Sequence, residues 1–196
     1  MKLPQKILLF VAFLLLAPMS SQAAYPVSLD GFWRFELDPA DAGERQQWFN
    51  RDGRNRIRLP GILQAQGFGD EISTDTPWVL TLYDRNWYLR DDYKTYIEPG
   101  KVKVPFLSQP PPHYLGAAWY QRDIYLIFPY MVGRRIVLTL ERPHWETTVW
   151  IDDRKIGSKI SLVTAHVYDL GAVSPGRHRL TIRWAAVGTE SSVRLN

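Results

Sequence analysis

From residue 28 onward the chain repeatedly switches between apolar and polar positions with a period of two. Over Ser28 to Leu37 this places Trp33, Phe35 and Leu37 on one side and Arg34 and Glu36 on the other, the pattern of a half-buried strand. Asp38-Pro39 ends that run. Asp41 and Glu44 have the spacing of a capping box, which predicts a short helix through Trp48-Phe49. Ile57 to Leu59 reads as a brief strand stopped by Pro60-Gly61. The alternation returns at Ala118 to Ile127, then at Arg134 to Leu140 with Ile136, Leu138 and Leu140 on one side. Thr147 to Ile151, Asp152-Asp153 and Lys155-Ile156-Gly157 form a hairpin signature. After a Pro-Gly turn at 173–176, Leu180, Ile182 and Trp184 alternate with Arg179, Thr181 and Arg183. Many short strands at regular spacing with Pro/Gly turns predict an all-β fold, a sandwich or jelly roll.

Residues 62–116 break this pattern. Pro77, Pro99, Pro105 and Pro110-Pro111-Pro112 fall here, and the apolar residues follow neither helical nor strand spacing. A loop of this length inside a compact domain is usually functional or disordered. Trp78, Tyr83, Trp87, Tyr88, Tyr93 and Tyr96 give it a composition that argues against disorder. We expect an ordered surface insertion.

The N-terminus has a different character. Lys2 and Lys6 precede an unbroken apolar run from Ile7 to Ala17, Pro18 breaks it, and Ser21-Gln22-Ala23 supplies small residues for cleavage. These are the marks of a signal peptide over residues 1–23, and the run is shorter than the roughly 20 residues of a membrane helix. The mature chain is therefore expected in the periplasm or medium, with no stable membrane insertion, and an uncleaved membrane anchor is the alternative reading. Cleavage leaves about 173 residues, enough for one domain with a full core. It also lowers the formal charge of +4 to about +2, too little to indicate nucleic acid. The cluster Arg51, Arg54, Arg56 and Arg58, interrupted by Asp52, reads as a solvated turn and strand edge. The chain has no cysteine, so disulfides and thiolate metal sites are excluded.

Eight Trp and ten Tyr are an unusual content for a chain of this size. Such rings offer a large apolar face with a polar handle, which suits stacking against the C–H faces of sugars; packing in the core is the alternative role for each of them.

Four segments carry a resemblance. Leu29-Asp30-Gly31-Phe32-Trp33-Arg34-Phe35, Ala118-Trp119-Tyr120-Gln121-Arg122, the stretch from Leu140 to Gly157, and Gly176 to Arg183 resemble, in the same order, strands of the N-terminal sugar-binding domain of family 2 glycoside hydrolases. A fifth match involves Leu59-Pro60, Gln64, Gly67-Phe68 and Thr74-Asp75-Thr76, which resemble a β-galactosidase stretch ending in Thr-Asn-Val. In that family the Asn reaches the sugar in the neighbouring catalytic barrel. The resemblance puts Asp75 in its place, where a carboxylate accepts hydrogen bonds but donates none. A turn-capping role for Asp75 before Pro77 is the alternative. The chain departs from the family after Arg183. Trp184-Ala185-Ala186-Val187 is unlike the usual continuation, so residues 184–196 are expected to be an atypical tail outside the strands. The linker domain and barrel of family members have no counterpart in the sequence.

A retaining glycosidase needs two carboxylates roughly 5–5.5 Å apart. Asp70-Glu71 and Asp91-Asp92 are adjacent in sequence, and neighbours on a strand point to opposite faces. Asp152-Asp153 sits at a hairpin turn. His113, His144, His166 and His178 lack metal-ligand spacing. The expectation is a galactose-binding-domain-like sandwich over residues 24–183 that binds carbohydrate without catalysing hydrolysis. Its sugar-contacting residues are expected to be Gln64, Asp75, Trp78, Trp87 and Tyr88, with no metal and no cofactor. Its partners would be a β-linked sugar at a non-reducing end and, in full-length relatives, the catalytic barrel. A free-standing binding module using the aromatic loop, or a non-functional remnant, are the alternatives.

Overall fold

The computed structural model describes residues 26–76, 86–98, 100–104, 112–127 and 135–185. The expected signal peptide, Trp78 and residues 186–196 lie outside the described residues. Ten strands are described: β1 (Gly31–Asp38), β2 (Asn55–Leu59), β3 (Asp70–Glu71), β4 (Pro112–His113), β5 (Ala117–Leu126), β6 (Ile136–Leu140), β7 (Trp145–Ile151), β8 (Arg154–Ser161), β9 (His166–Gly171) and β10 (Gly176–Ala185). Six of them form an antiparallel sheet in the order β2-β1-β5-β10-β7-β8, and β6 pairs with β9 in a second sheet. The chain is an all-β sandwich.

The alternation in the sequence is what builds the core. Trp33, Phe35, Ile57, Ala118, Val149, Ile151, Leu180 and Ile182 come from one face of the large sheet. They cluster with Leu138, Tyr168 and Leu170 of the small one. Each fully buried side chain of this kind contributes about 1.5–3 kcal/mol relative to exposure. Between the sheets, Tyr168 donates its hydroxyl proton to the Thr147 carbonyl at 2.8 Å, and Thr147 Oγ1 lies 2.6 Å from His166 Nδ1. This satisfies polar groups that burial would otherwise penalise.

The other face of the large sheet is covered too, which the alternation alone does not predict. Glu36, Asp38, Trp119, Gln121, Trp150, Thr181 and Arg183 are buried there beneath residues 41–53. Phe49 stacks on Trp150 at 5.6 Å, Trp150 on Trp119 at 5.1 Å, and Trp48 tilts against Trp119 at 6.1 Å. Glu36, on the polar side of β1, is gripped by Arg51 at 2.6 and 3.0 Å. Arg51 therefore leaves the solvated basic cluster, while Arg56 and Arg58 stay exposed on β2.

Two expectations need correction here. The capping box at Asp41 and Glu44 does not cap a helix. Asp41 has φ 47° and binds Arg183 Nε at 2.8 Å, and Glu44 pairs with Lys155. The cap is Asp38, whose two oxygens accept the N–H groups of Ala42 at 2.9 Å and Gly43 at 2.7 Å. A single turn follows, then a 3-10 turn at Trp48–Asn50. Nor does Trp184 begin a tail outside the sheet. Trp184 and Ala185 pair with Ala118 and Ala117 on one side and with Thr147 and Glu146 on the other. The Trp184 indole donates to the carbonyls of Pro143 and His144 at 2.7 and 2.6 Å.

Candidate carbohydrate-binding site

The insertion is tied to the sandwich at both ends. Asp70 and Glu71 pair with His113 and Pro112. Tyr114, buried in the main core, donates its hydroxyl proton to the Ala117 carbonyl at 2.6 Å and accepts the Asp38 N–H at 3.0 Å. Burial pushes the Tyr114 hydroxyl well above the ordinary phenol range, so it remains a neutral tether. Burial likewise lowers His113, partly opposed by the charge of Asp70. Ile72, Trp87 and Val104 are buried outside the main cluster, so the insertion carries apolar anchors of its own.

Gln64 opens a 3-10 turn, Gln64–Gln66, that ends at Gly67 with φ 84°. That turn requires the left-handed conformation that glycine adopts without steric cost. The Gln64 side chain is half-buried. Its neighbour Gln66, which sequence reasoning passed over, acts like a strand residue. The Gln66 amide accepts the Arg58 N–H at 2.8 Å and donates to the Arg58 carbonyl at 2.9 Å, locking the turn to β2. The signal available in the sequence was a side chain able both to donate and to accept just beyond a strand end.

Asp75 lies in a compact turn made by its neighbours. Ser73 N–H donates to Thr76 Oγ1 at 2.8 Å, and Asp75 N–H donates to Ser73 Oγ at 3.2 Å. The hydroxyls do the capping. The Asp75 side chain is exposed and makes no hydrogen bond or ion pair among the described residues.

Trp87 and Tyr88 meet edge-to-face with ring centroids 6.2 Å apart, Trp87 meets Tyr93 at 6.3 Å, and Tyr93 meets Tyr96 at 6.2 Å. Trp87 is 2 % exposed, so its faces are taken up by protein and it anchors the aromatic cluster. Tyr88 is half-buried and offers part of its ring outward. Of the expected site residues, Trp87 and Tyr88 are brought into contact, while Gln64 and Asp75 are each held by a separate turn.

Two carboxylates of the covered sheet face, Asp123 and Glu36, are committed to cations. Asp123 is held at about 2 by hydrogen bonds from Arg34 and Arg177 that outweigh its partial burial. Glu36 is held below the usual carboxylate range chiefly by Arg51. Among the described residues no three of His, Asp and Glu gather as metal ligands.

No protein family and no curated protein matches the chain in sequence. Solved structures match it in shape. A Ruminococcus gnavus β-glucuronidase superposes with a TM-score of 0.53 at 17% identity, over 82% of this chain and 22% of its own. A β-glucuronidase from an uncultured Clostridium sp. gives 0.51 at 16%, over 83% and 24%. The Ruminococcus gnavus enzyme in complex with D-glucuronic acid gives 0.51 at 16%, over 83% and 23%. The likeness is one of fold. This chain spans under a quarter of the length of those enzymes.

Proposed function

We propose that the chain is the non-catalytic, carbohydrate-binding N-terminal domain of an exported retaining β-glycosidase of glycoside hydrolase family 2, β-glucuronidase- or β-galactosidase-like. The observation that carries this reading is the coverage. More than four-fifths of the chain superposes on β-glucuronidases, but on less than a quarter of each. The strand motifs resembling family 2 support it, because they fall on β1, β5, the β7–β8 hairpin and β10 in the same order. In this reading Asp75 and Gln64 wall the sugar pocket of the adjoining barrel, and Asp75 accepts hydroxyl protons at the non-reducing end. Tyr88 adds a partly presented ring, whereas the burial of Trp87 weighs against its use as an exposed platform. Export rests on the signal sequence at residues 1–23.

The test is hydrolysis of aryl β-glucuronides and β-galactosides by the purified chain. No turnover is expected. Turnover that tracks the protein and disappears in Asp70→Asn or Glu71→Gln would contradict the proposal.

A further inference from the structure

A cleft of about 540 Å3 opens on the large sheet at the end where residues 41–53 stop covering it. Its volume lies within the roughly 300–1,000 Å3 of small-ligand sites. Asp123, Arg177 and Arg179 line it from β5 and β10, Phe49 and Asn50 from the covering segment, and Asp152 and Asp153 from the β7–β8 turn.

Most of these groups are already engaged. Arg177 binds Asp123 at 2.8 Å, and Arg179 binds Asp52 at 2.6 Å. Asp152 accepts the Arg179 N–H at 2.8 Å and faces His178 Nδ1 at 2.7 Å. These bonds hold the walls in place before any ligand arrives. The side chains of Asn50 and Asp153 are exposed and make no hydrogen bond or ion pair among the described residues. Between them they offer an amide that donates and accepts and a carboxylate that accepts. Phe49 adds an apolar surface whose orientation is fixed, because one side of the ring stacks on Trp150 with an interplanar angle of 11°.

We infer that this cleft is a second carbohydrate site, which takes a neutral pyranoside by stacking its C–H face on Phe49 while Asn50 and Asp153 bind adjacent hydroxyls. A rigid aromatic face beside unengaged polar groups is the combination a sugar requires. The Asp153 carboxylate selects a neutral sugar over a uronic acid. Arg34, Arg177 and Arg179 share the carboxylates of Asp123 and Asp52, so they are engaged with protein groups, whereas Asp153 places an unbonded negative charge where the hydroxyls bind and repels another carboxylate there. The choice of a sugar over other polar ligands rests on the carbohydrate-binding reading above, but the position of the site does not depend on Asp75 or Gln64.

The experiment is a residue-resolved NMR titration of the full chain with methyl β-D-glucoside, methyl β-D-galactoside and methyl β-D-glucuronide. Saturable amide shifts are expected around Phe49, Asn50 and Asp153 with at least one neutral glycoside. The Asn50→Ala, Asp153→Ala double variant should lose at least tenfold in that affinity. Its melting temperature should be unchanged, because both side chains are exposed and unbonded. Shifts confined to Gln64, Asp75 and Tyr88 would overturn the cleft and leave the carbohydrate reading standing. Tighter binding of the glucuronide in the cleft would overturn the assignment to a neutral sugar. Absence of shifts with every glycoside would overturn the cleft and the carbohydrate reading together.

Discussion

The carboxylate of Asp38, at the end of β1, accepts the indole N–H of Trp119 on β5 at 2.9 Å. The same carboxylate caps the turn at Ala42 and Gly43, so one buried side chain fastens the covering segment to the sheet. Asp38→Asn would turn an N–H2 group toward an N–H donor and leave it unsatisfied. It should cost about 2–4 kcal/mol, read as a lower urea midpoint at unchanged slope. Gly43→Ala tests the same contact from the other side, since its Cβ would lie 2.5 Å from Trp119 Nε1. It should cost about 1–3 kcal/mol.

The second prediction concerns the end of β10. Trp184 is half-buried, packs against the main core and bonds two carbonyls. Trp184→Ala should therefore destabilise the fold by about 2–3 kcal/mol. Truncation after Arg183 should do at least as much harm, because it removes two residues paired on both sides. A truncated chain with an unchanged melt would contradict the register of β10.

These corrections show which parts of the fold were legible. Strands whose inner positions are apolar, such as Trp33, Phe35, Leu180 and Ile182, announce themselves through period two. β9 was passed over because His166 and Tyr168 supply two of its three buried positions. Their burial depends on Thr147, which is distant in sequence. Asp41 looked like a cap because capping spacing is local, whereas its partner Arg183 lies 142 residues away. Trp184 was set apart because its continuation resembled nothing familiar, while pairing with β5 and β7 is a physical matter that resemblance does not report. At the candidate site, aromatic content drew attention to the insertion, and among its described residues Trp87, Tyr88, Tyr93 and Tyr96 do pack on one another. It could not separate Trp87, which is buried, from Tyr88, which is partly presented. That difference is made by packing within the loop.

Two histidines give opposite pH dependences. His178 faces Asp152 Oδ2 at 2.7 Å and the Ser174 carbonyl at 2.8 Å, both acceptors, so the fully protonated ring fits, and its pKa is raised chiefly by Asp152. Its stabilisation is complete below the unfolded value of about 6.5 and is lost as pH rises through the folded value. His166 is lowered chiefly by burial, with the charge of Lys159 adding to the effect. Its contribution is present above about pH 6.5 and is lost as pH falls toward the folded value. Denaturation at about pH 5.5 and about pH 8.5 should show the wild-type advantage over His178→Gln shrinking at the higher pH. The advantage over His166→Gln should shrink at the lower pH.

Ile160, Leu162 and Val163 are 71, 51 and 84 % exposed around the β8–β9 turn. Contiguous apolar surface of this kind promotes association. Sedimentation at micromolar concentration should show self-association of the chain, reduced in Leu162→Ser, Val163→Ser. A monodisperse wild-type monomer would count against an apolar contact there.

The most direct test of the central claim, sugar binding without catalysis, is saturation-transfer NMR of the full chain with an aryl β-glucuronide and an aryl β-galactoside. The account predicts saturation transfer to the sugar-ring protons of at least one glycoside and anomeric signals that persist undiminished. Absence of transfer to every sugar ring would contradict binding. An anomeric signal that decays in proportion to protein concentration, and is preserved by Asp70→Asn or Glu71→Gln, would contradict a non-catalytic domain.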